Sequence, residues 1–373
     1  MHVSTLARAG RALALLAVAL APALSGADIL LGHSGDLSGN SAALTKDYLR
    51  GMNAYFDEVN RKGGIRGEKI TLVSMDDGFD PARTVVNTKA LIEQNALALV
   101  GYRGTANLQK IIPLIQEAGI AQIGNTAGAK SLREPYVEGI FHLRASTGDE
   151  IEAAVNHAWT VGITRIAAGY QDDPFGKEAL EALNVALKKR GAQPVAVAPV
   201  PRGTVDVARA VDIIAASNPQ AVMYLGQAKP AAAVLKGLAA KGVRTQFFVL
   251  SVASGLHADL GEAAAGVIVT QVVPYPFTVT GQTVVREYQK TMAALDNSAF
   301  SFNSMEGFLN AKLVTAVLQK TAPPLTRAKV IATVKGLHNE DLGGFAITFG
   351  RQNNQGSHFV VLTMVRKDGS FAR

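Results

Sequence analysis

Residues 96–123 read Ala96-Leu97-Ala98-Leu99-Val100-Gly101-Tyr102-Arg103-Gly104-Thr105-Ala106-Asn107-Leu108-Gln109-Lys110-Ile111-Ile112-Pro113-Leu114-Ile115-Gln116-Glu117-Ala118-Gly119-Ile120-Ala121-Gln122-Ile123. Ala96 to Gly101 is a short apolar run of the kind a buried strand needs, and it ends in a glycine-containing loop. From Asn107 to Ala118 the apolar residues recur at intervals of three and four, a helical face that carries Pro113 in its early part. Ile120 to Ile123 is the next strand. Strand, helix and strand in this order form a βαβ unit, whose two strands run parallel in one sheet.

The same rhythm extends outward on both sides. Upstream, Ile29 to Gly32 reads as a strand and Thr45 to Arg61 as a helix with Tyr48, Leu49, Met52, Tyr55, Phe56 and Val59 on one face. That helix stops at Lys62-Gly63-Gly64, a cation followed by glycines. Lys69 to Met75 is a strand and Pro81 to Gln94 a helix. Downstream the alternation restarts: helices at 149–159, 176–189, 206–216 and 230–241 interleave with strands at 165–170, 194–200, 221–225 and 246–250. Two consecutive βα sets predict an α/β protein of two Rossmann-like lobes, each with a parallel sheet. After Val273 the pattern changes to helices at 284–295 and 304–319. The tail is expected to form a β-hairpin of Ala346–Phe349 with His358–Arg366 around Gln352-Asn353-Asn354-Gln355-Gly356.

The N-terminus reads as an export signal. Arg8 and Arg11 precede an apolar run of 13 residues, Ala12 to Leu24, and Ser25-Gly26-Ala27 offers a cleavage site for small residues. The run is shorter than the roughly 20 residues a membrane span needs. No twin arginine is present, so the general secretory route is expected, with cleavage near Ala27 and a mature protein in the periplasm. The chain has no cysteine, which excludes a lipid anchor on cysteine, disulfides, thiolate catalysis and cysteine metal sites together. A net charge of +7, spread along the chain, argues against a nucleic-acid partner.

Catalytic signatures are absent. Gly32-His33-Ser34-Gly35-Asp36 lacks the final glycine of a nucleophile elbow. No phosphate loop or dinucleotide fingerprint follows a strand, and the histidines show no spacing suited to zinc. Asp76-Asp77-Gly78-Phe79-Asp80 does not have calcium-loop spacing; a strand-to-helix turn capped by aspartate, with Pro81 opening the helix, accounts for it. The expectation is a protein that is not an enzyme and takes no metal or cofactor.

Several stretches carry a resemblance. Leu37-Ser38-Gly39, Gly51, Asn60 to Ile70, Asp76 to Pro81, Val100 to Thr105, Leu143-Arg144-Ala145-Ser146, Tyr170 to Gly176 and Gly242 to Phe247 are similar to segments of the branched-chain amino-acid (leucine/isoleucine/valine) periplasmic binding proteins, the substrate-capturing components of ABC importers. The resemblance implies two lobes joined by three crossovers and closing on ligand by a hinge. It places lobe one at 28–144 and 274–338 and lobe two at 145–273 and 339–373. It implies a monomer that delivers its ligand to ABC permease subunits. A ligand-sensing subunit that docks on a membrane receptor is the alternative, as is a true branched-chain amino-acid binder.

Ligands of open parallel sheets bind beyond the carboxyl ends of strands, and the loop Tyr102-Arg103-Gly104-Thr105 occupies such a place. Its free amides and the Thr105 hydroxyl suit a carboxylate, although Thr105 also reads as a helix N-cap. Arg103 either adds a charge-assisted bond or faces solvent. In the family, the residue matching Thr105 and the backbone near Ala127 grip the ligand's carboxylate. The positions that hold the ligand's ammonium correspond to Gly128 and Ser251, neither of which is charged. Phe175 keeps an aromatic ligand contact, whereas Leu44 and Gln227 stand where the family has aromatic residues. Asp172 or Asp173 would restore a negative charge if turned inward. The expected ligand is a small carboxylate, aromatic or branched, rather than a zwitterionic α-amino acid.

Overall fold

The computed structural model describes residues 28–279, 281–295 and 299–373. The expected export signal, residues 1–27, lies outside the described residues.

The first sheet contains β1 (Ile29–Gly35), β2 (Ile70–Asp76), β3 (Ala98–Val100), β4 (Ala121–Ile123) and β5 (Ile140–Phe141), in the order β2-β1-β3-β4-β5. Every neighbouring pair is parallel. Helices α1 (Ala42–Arg61), α2 (Pro81–Glu93) and α3 (Thr105–Glu117) connect the strands. The local chemistry is as expected at two ends. Asp80 accepts a hydrogen bond from the Ala82 amide at 2.7 Å with Pro81 behind it, and α1 ends where Gly63 and Gly64 adopt positive φ.

The second sheet is built from β6 (Ile166–Asp172), β7 (Ala196–Pro201), β8 (Ala221–Leu225), β9 (Gln246–Val249) and β10 (Ile268–Gln271). Helices α4 (Thr147–Thr160), α5 (Pro174–Lys188), α6 (Ala208–Ala216), α7 (Ala228–Ala240) and the short α8 (His257–Leu260) accompany it. A further run, α9 (Thr283–Ala293), α10 (Phe302–Lys320) and α11 (Arg327–Lys335), packs beside the first sheet. There α10 lies directly against α1. A Cβ added to Gly51 would stand 1.8 Å from the Ser304 carbonyl oxygen, and one on Gly307 would stand 1.9 Å from that of Tyr48. Only glycines permit that backbone approach. The short α11 escaped the sequence reading because only Val330 and Val334 mark its buried face.

The expected C-terminal hairpin does not form. Instead β11 (Glu340–Asp341) pairs with β12 (Ala346–Ile347), while β13 (Val361–Val365) lies antiparallel between β10 and β14 (Phe371–Ala372). The turn-rich segment 352–356 bonds to a distant partner: His142 donates its amide to the Asn354 carbonyl at 2.8 Å, and Gly356 donates to that of His142 at 2.7 Å. The open edge of β10 and the Asp368-Gly369 turn offered β13 better partners than its sequence neighbour. The second sheet therefore runs β14-β13-β10-β9-β8-β6-β7.

Candidate functional site

The carboxyl ends of both sheets face one another, and the loops leaving β2, β3, β4, β6, β7, β8 and β9 converge there. They enclose a cavity of about 30 Å³ lined by Phe79, Arg103, Gly104, Thr105, Ala106, Thr126, Ala127, Gln171, Asp173, Phe175, Arg202, Gln227 and Val252. Both halves of the molecule contribute walls, as expected of a cleft at strand ends.

From the first half, Gly104 takes φ 91° and is the N-cap of α3, so Thr105 is the helix's first residue and not its cap. The Thr105 hydroxyl is buried and has no hydrogen-bond partner, and the same is true of Thr126. Arg103 is 7 % exposed. Its one hydrogen bond goes to the Val252 carbonyl across the cleft at 3.3 Å, and no carboxylate lies within ion-pair distance of it among the described residues. Burial, with the Arg144 charge second, lowers its pKa to about 10, so it remains a cation at neutral pH. A buried guanidinium with a single carbonyl acceptor and two unpartnered hydroxyls beside a helix N-terminus offer more donors than the protein satisfies, the arrangement that receives an anion.

From the second half, Asp173 enters the cavity. Its carboxylate caps α5 through the Gly176 amide at 3.0 Å, accepts from Gln171 Nε2 at 2.6 Å and lies 3.5 Å from Arg202 Nε. Asp172 faces outward and pairs with Lys177 at 2.9 Å, because successive side chains at a strand end point to opposite sides. The Gln227 side chain accepts from the Ser41 hydroxyl at 2.8 Å, a second bond between the two halves.

The cavity thus brings together Arg103, Gly104, Thr105, Ala127, Phe175 and Gln227 of the residues expected from sequence. Tyr102, Gly128, Leu44, Asp172 and Ser251 do not line it. Tyr102 is buried with its hydroxyl 3.2 Å from that of Thr88. Gly128 touches α4 so closely that a Cβ there would stand 2.2 Å from Thr147 Oγ1. Leu44 occupies the space beside Gly255. Ser251 joins a buried network behind the cleft: it bonds to Arg144 and Glu150, while Thr270 donates to Glu150 at 2.5 Å. Arg144 reaches Glu150 at 3.0 Å and Glu306 at 3.4 Å.

Sequence reasoning missed Phe79, Ala106, Thr126, Gln171, Arg202 and Val252 as wall residues. Phe79 was visible in its motif as a turn, and its positive φ of 63° gives the ring its direction. Arg202 sits in a loop after β7 with no local pattern to mark it. Among the described residues no cluster of histidine and acidic side chains could hold a metal, and no helix is long and apolar enough to cross a membrane.

A two-lobed α/β fold with an anion-receptive cleft at its strand ends defines a type I solute-binding protein. The profile of the family described as "Periplasmic binding protein" matches residues 28–370, and the chain belongs to that family. Its members are periplasmic solute-binding proteins, not enzymes. An "Amino acid binding protein" of Pseudomonas aeruginosa is 27% identical over 225 residues, which is 59% of this chain and 60% of that one. A "Leu/Ile/Val/Thr-binding protein" of Salmonella typhimurium is 24% identical and covers 85% of this chain and 89% of its own length. The crystal structure of a possible leucine/isoleucine/valine-binding protein from Rhodopirellula baltica superposes with a TM-score of 0.89 at 27% identity, over 95% of this chain and 98% of the other.

Proposed function

We propose that this protein captures a small apolar monocarboxylate between its lobes in the periplasm and delivers it to the membrane subunits of an ABC importer. The observation that carries this reading is Arg103, a buried guanidinium in the cleft with one carbonyl as its acceptor, beside the unpartnered hydroxyls of Thr105 and Thr126. The wall holds two guanidiniums, Arg103 and Arg202, against the single carboxylate of Asp173. A monoanion balances that excess charge, whereas a zwitterion adds an ammonium whose one candidate acceptor, Asp173, is already committed to Gly176, Gln171 and Arg202.

A second reading is a branched-chain amino-acid binder. The entry of Asp173 into the cavity favours it, as do the names of the relatives. Calorimetric titration separates the two: leucine and phenylalanine against 4-methyl-2-oxopentanoate and phenylacetate. Tighter binding of the acids is expected. Tighter binding of the amino acids, lost in Asp173→Asn, establishes the second reading in place of the first.

The lobe boundaries at 144/145 and 273/274 are kept in this proposal. We put the third crossover after Gly356, since Val284 bonds to Gly343 at 2.9 Å, Phe349 to Leu337 at 2.9 Å, and Asn354 and Gly356 to His142, tying 340–356 to lobe one.

A further inference from the structure

The 30 Å³ cavity has a neighbour. A basin of about 490 Å³, lined in part by Asp36, Asn40 and Asp80, shares Phe79, Arg202 and Gln227 with it as common walls. Phe79 comes from lobe one, between β2 and α2, and Arg202 from lobe two, directly after β7. The Arg202 guanidinium lies over the Phe79 ring, 4.4 Å from its centroid. It donates to the Phe79 carbonyl at 2.8 Å and to Asn107 Oδ1 at 3.2 Å, and it stands 3.5 Å from Asp173. Arg103 offers its donors to the cavity, whereas Arg202 has spent its own on protein groups across the cleft.

The ring is held deliberately. A φ of 63° is unfavourable for a bulky side chain and persists only where the surroundings impose it. Here the Phe79 amide donates to Asp77 Oδ1 at 2.8 Å, and Asp77 is fixed by the hydroxyls of Ser34 at 3.0 Å and Thr84 at 2.9 Å. One lobe thus presents a strained aromatic and the other caps it with a planar cation, a pairing with both stacking and hydrogen-bond character.

We propose that the Phe79–Arg202 pair is a partition that sets the size of ligand this protein accepts. Closed, it leaves room beside Arg103 for a carboxylate with a short tail. A longer tail must part the pair and enter the outer basin, at the cost of the contacts between the lobes. The proposal rests on the carboxylate reading above for its ligand, though not for the contact itself.

The test is calorimetric titration of propanoate, hexanoate and decanoate into the wild type, Phe79→Ala, Phe79→Leu, Arg202→Ala and Arg202→Lys, each checked for folding by thermal unfolding. Phe79→Ala and Arg202→Ala join the two spaces and should raise affinity for hexanoate and decanoate relative to propanoate by about tenfold or more, since each added methylene becomes buried. The conservative variants should fall between. An unchanged length preference in the folded variants overturns the proposal, and so does an equal loss for all three acids, which would make Arg202 a simple ligand contact. A second readout needs no ligand. The chain has no cysteine, so Val86→Cys and Val161→Cys, exposed sites on opposite lobes, accept a pair of spin labels. Arg202→Ala should lengthen and broaden the distance between them, and an unaltered distribution counts against the partition. Failure of the wild type to bind any acid, with a lengthened distance in Arg202→Ala, sinks the carboxylate reading and leaves the partition standing.

Discussion

Two buried arginines, Arg103 and Arg144, show how one molecule uses the same side chain in opposite ways. Arg144 is 2 % exposed and Arg103 7 %, and the Arg144 charge reaches Arg103 and lowers its pKa. Arg144 bonds to Glu150 and Ser251, lies 3.4 Å from Glu306 and donates to the Thr126 carbonyl at 2.9 Å. Burial alone would lower its pKa, yet the two carboxylates outweigh that and raise it. Arg103 has no carboxylate at ion-pair distance among the described residues; burial and the Arg144 charge outweigh the more distant Glu306 and Asp36, and its pKa falls. A paired buried charge fixes structure; an unpaired one stores the desolvation cost until an anion arrives. The Thr126 backbone connects the two, so the network behind the cleft also positions the cleft wall.

The largest test of this contrast is Arg144→Met. It strands Glu150 and Glu306 in the interior and should destabilise the fold by about 3–5 kcal/mol in denaturant titration. A loss below about 1 kcal/mol would show that the network is not structural. Arg103→Met should do the reverse: stability unchanged or higher, with carboxylate affinity reduced by about 1.5–3 kcal/mol in calorimetry. Thr105→Ala should cost about 1 kcal/mol of the same affinity without affecting stability, and unaltered binding would remove its hydroxyl from the site.

Between these in size stands an effect of pH. His33 is fully buried beneath the cleft loop, its Nδ1 3.0 Å from the Val100 carbonyl, and burial lowers its pKa from 6.5 to about 4. Between those values the unfolded chain binds a proton that the folded chain refuses, so stability falls as pH drops from about 6.5 to about 4. The full contribution is about 3 kcal/mol. His142, also buried and shifted well below its usual value, acts in the same direction. Denaturation of the wild type and His33→Gln across this range should give curves that converge in acid; parallel curves would exclude His33. The smallest expected effect is that of Asp172→Asn, which breaks only an exposed pair with Lys177. It should change neither ligand affinity nor stability by more than about 0.5 kcal/mol, and a larger loss of affinity would return Asp172 to the site.

Much of this molecule is legible from its residues in order. The βα alternation, the glycine stop of α1 and the Asp80-Pro81 helix start are local, because each depends on side chains within one or two turns of each other. The loop Gly101 to Thr105 was legible as a strand-to-helix connection for the same reason: it lies between a strand and a helix whose positions are both encoded nearby. Sequence could not decide which of Asp172 and Asp173 faces the cleft, since strand register settles it. It misplaced β13 because strand pairing is a competition among distant edges, which the turn-rich segment 352–356 lost.

The sequence by itself determined the α/β class and the order of strands, loops and helices along the chain, because propensity, capping and periodicity act over short distances. Tertiary structure alone decided that Arg103 is left unpaired while Arg144 is paired, and that Arg202 crosses the cleft to Phe79. Ser251 and Gly128 were withdrawn from the wall by contacts with α4 that no spacing reveals. Charge pairing in an interior depends on which side chains arrive together within about 4 Å, and that is fixed only when two lobes, encoded far apart in the chain, close on one another.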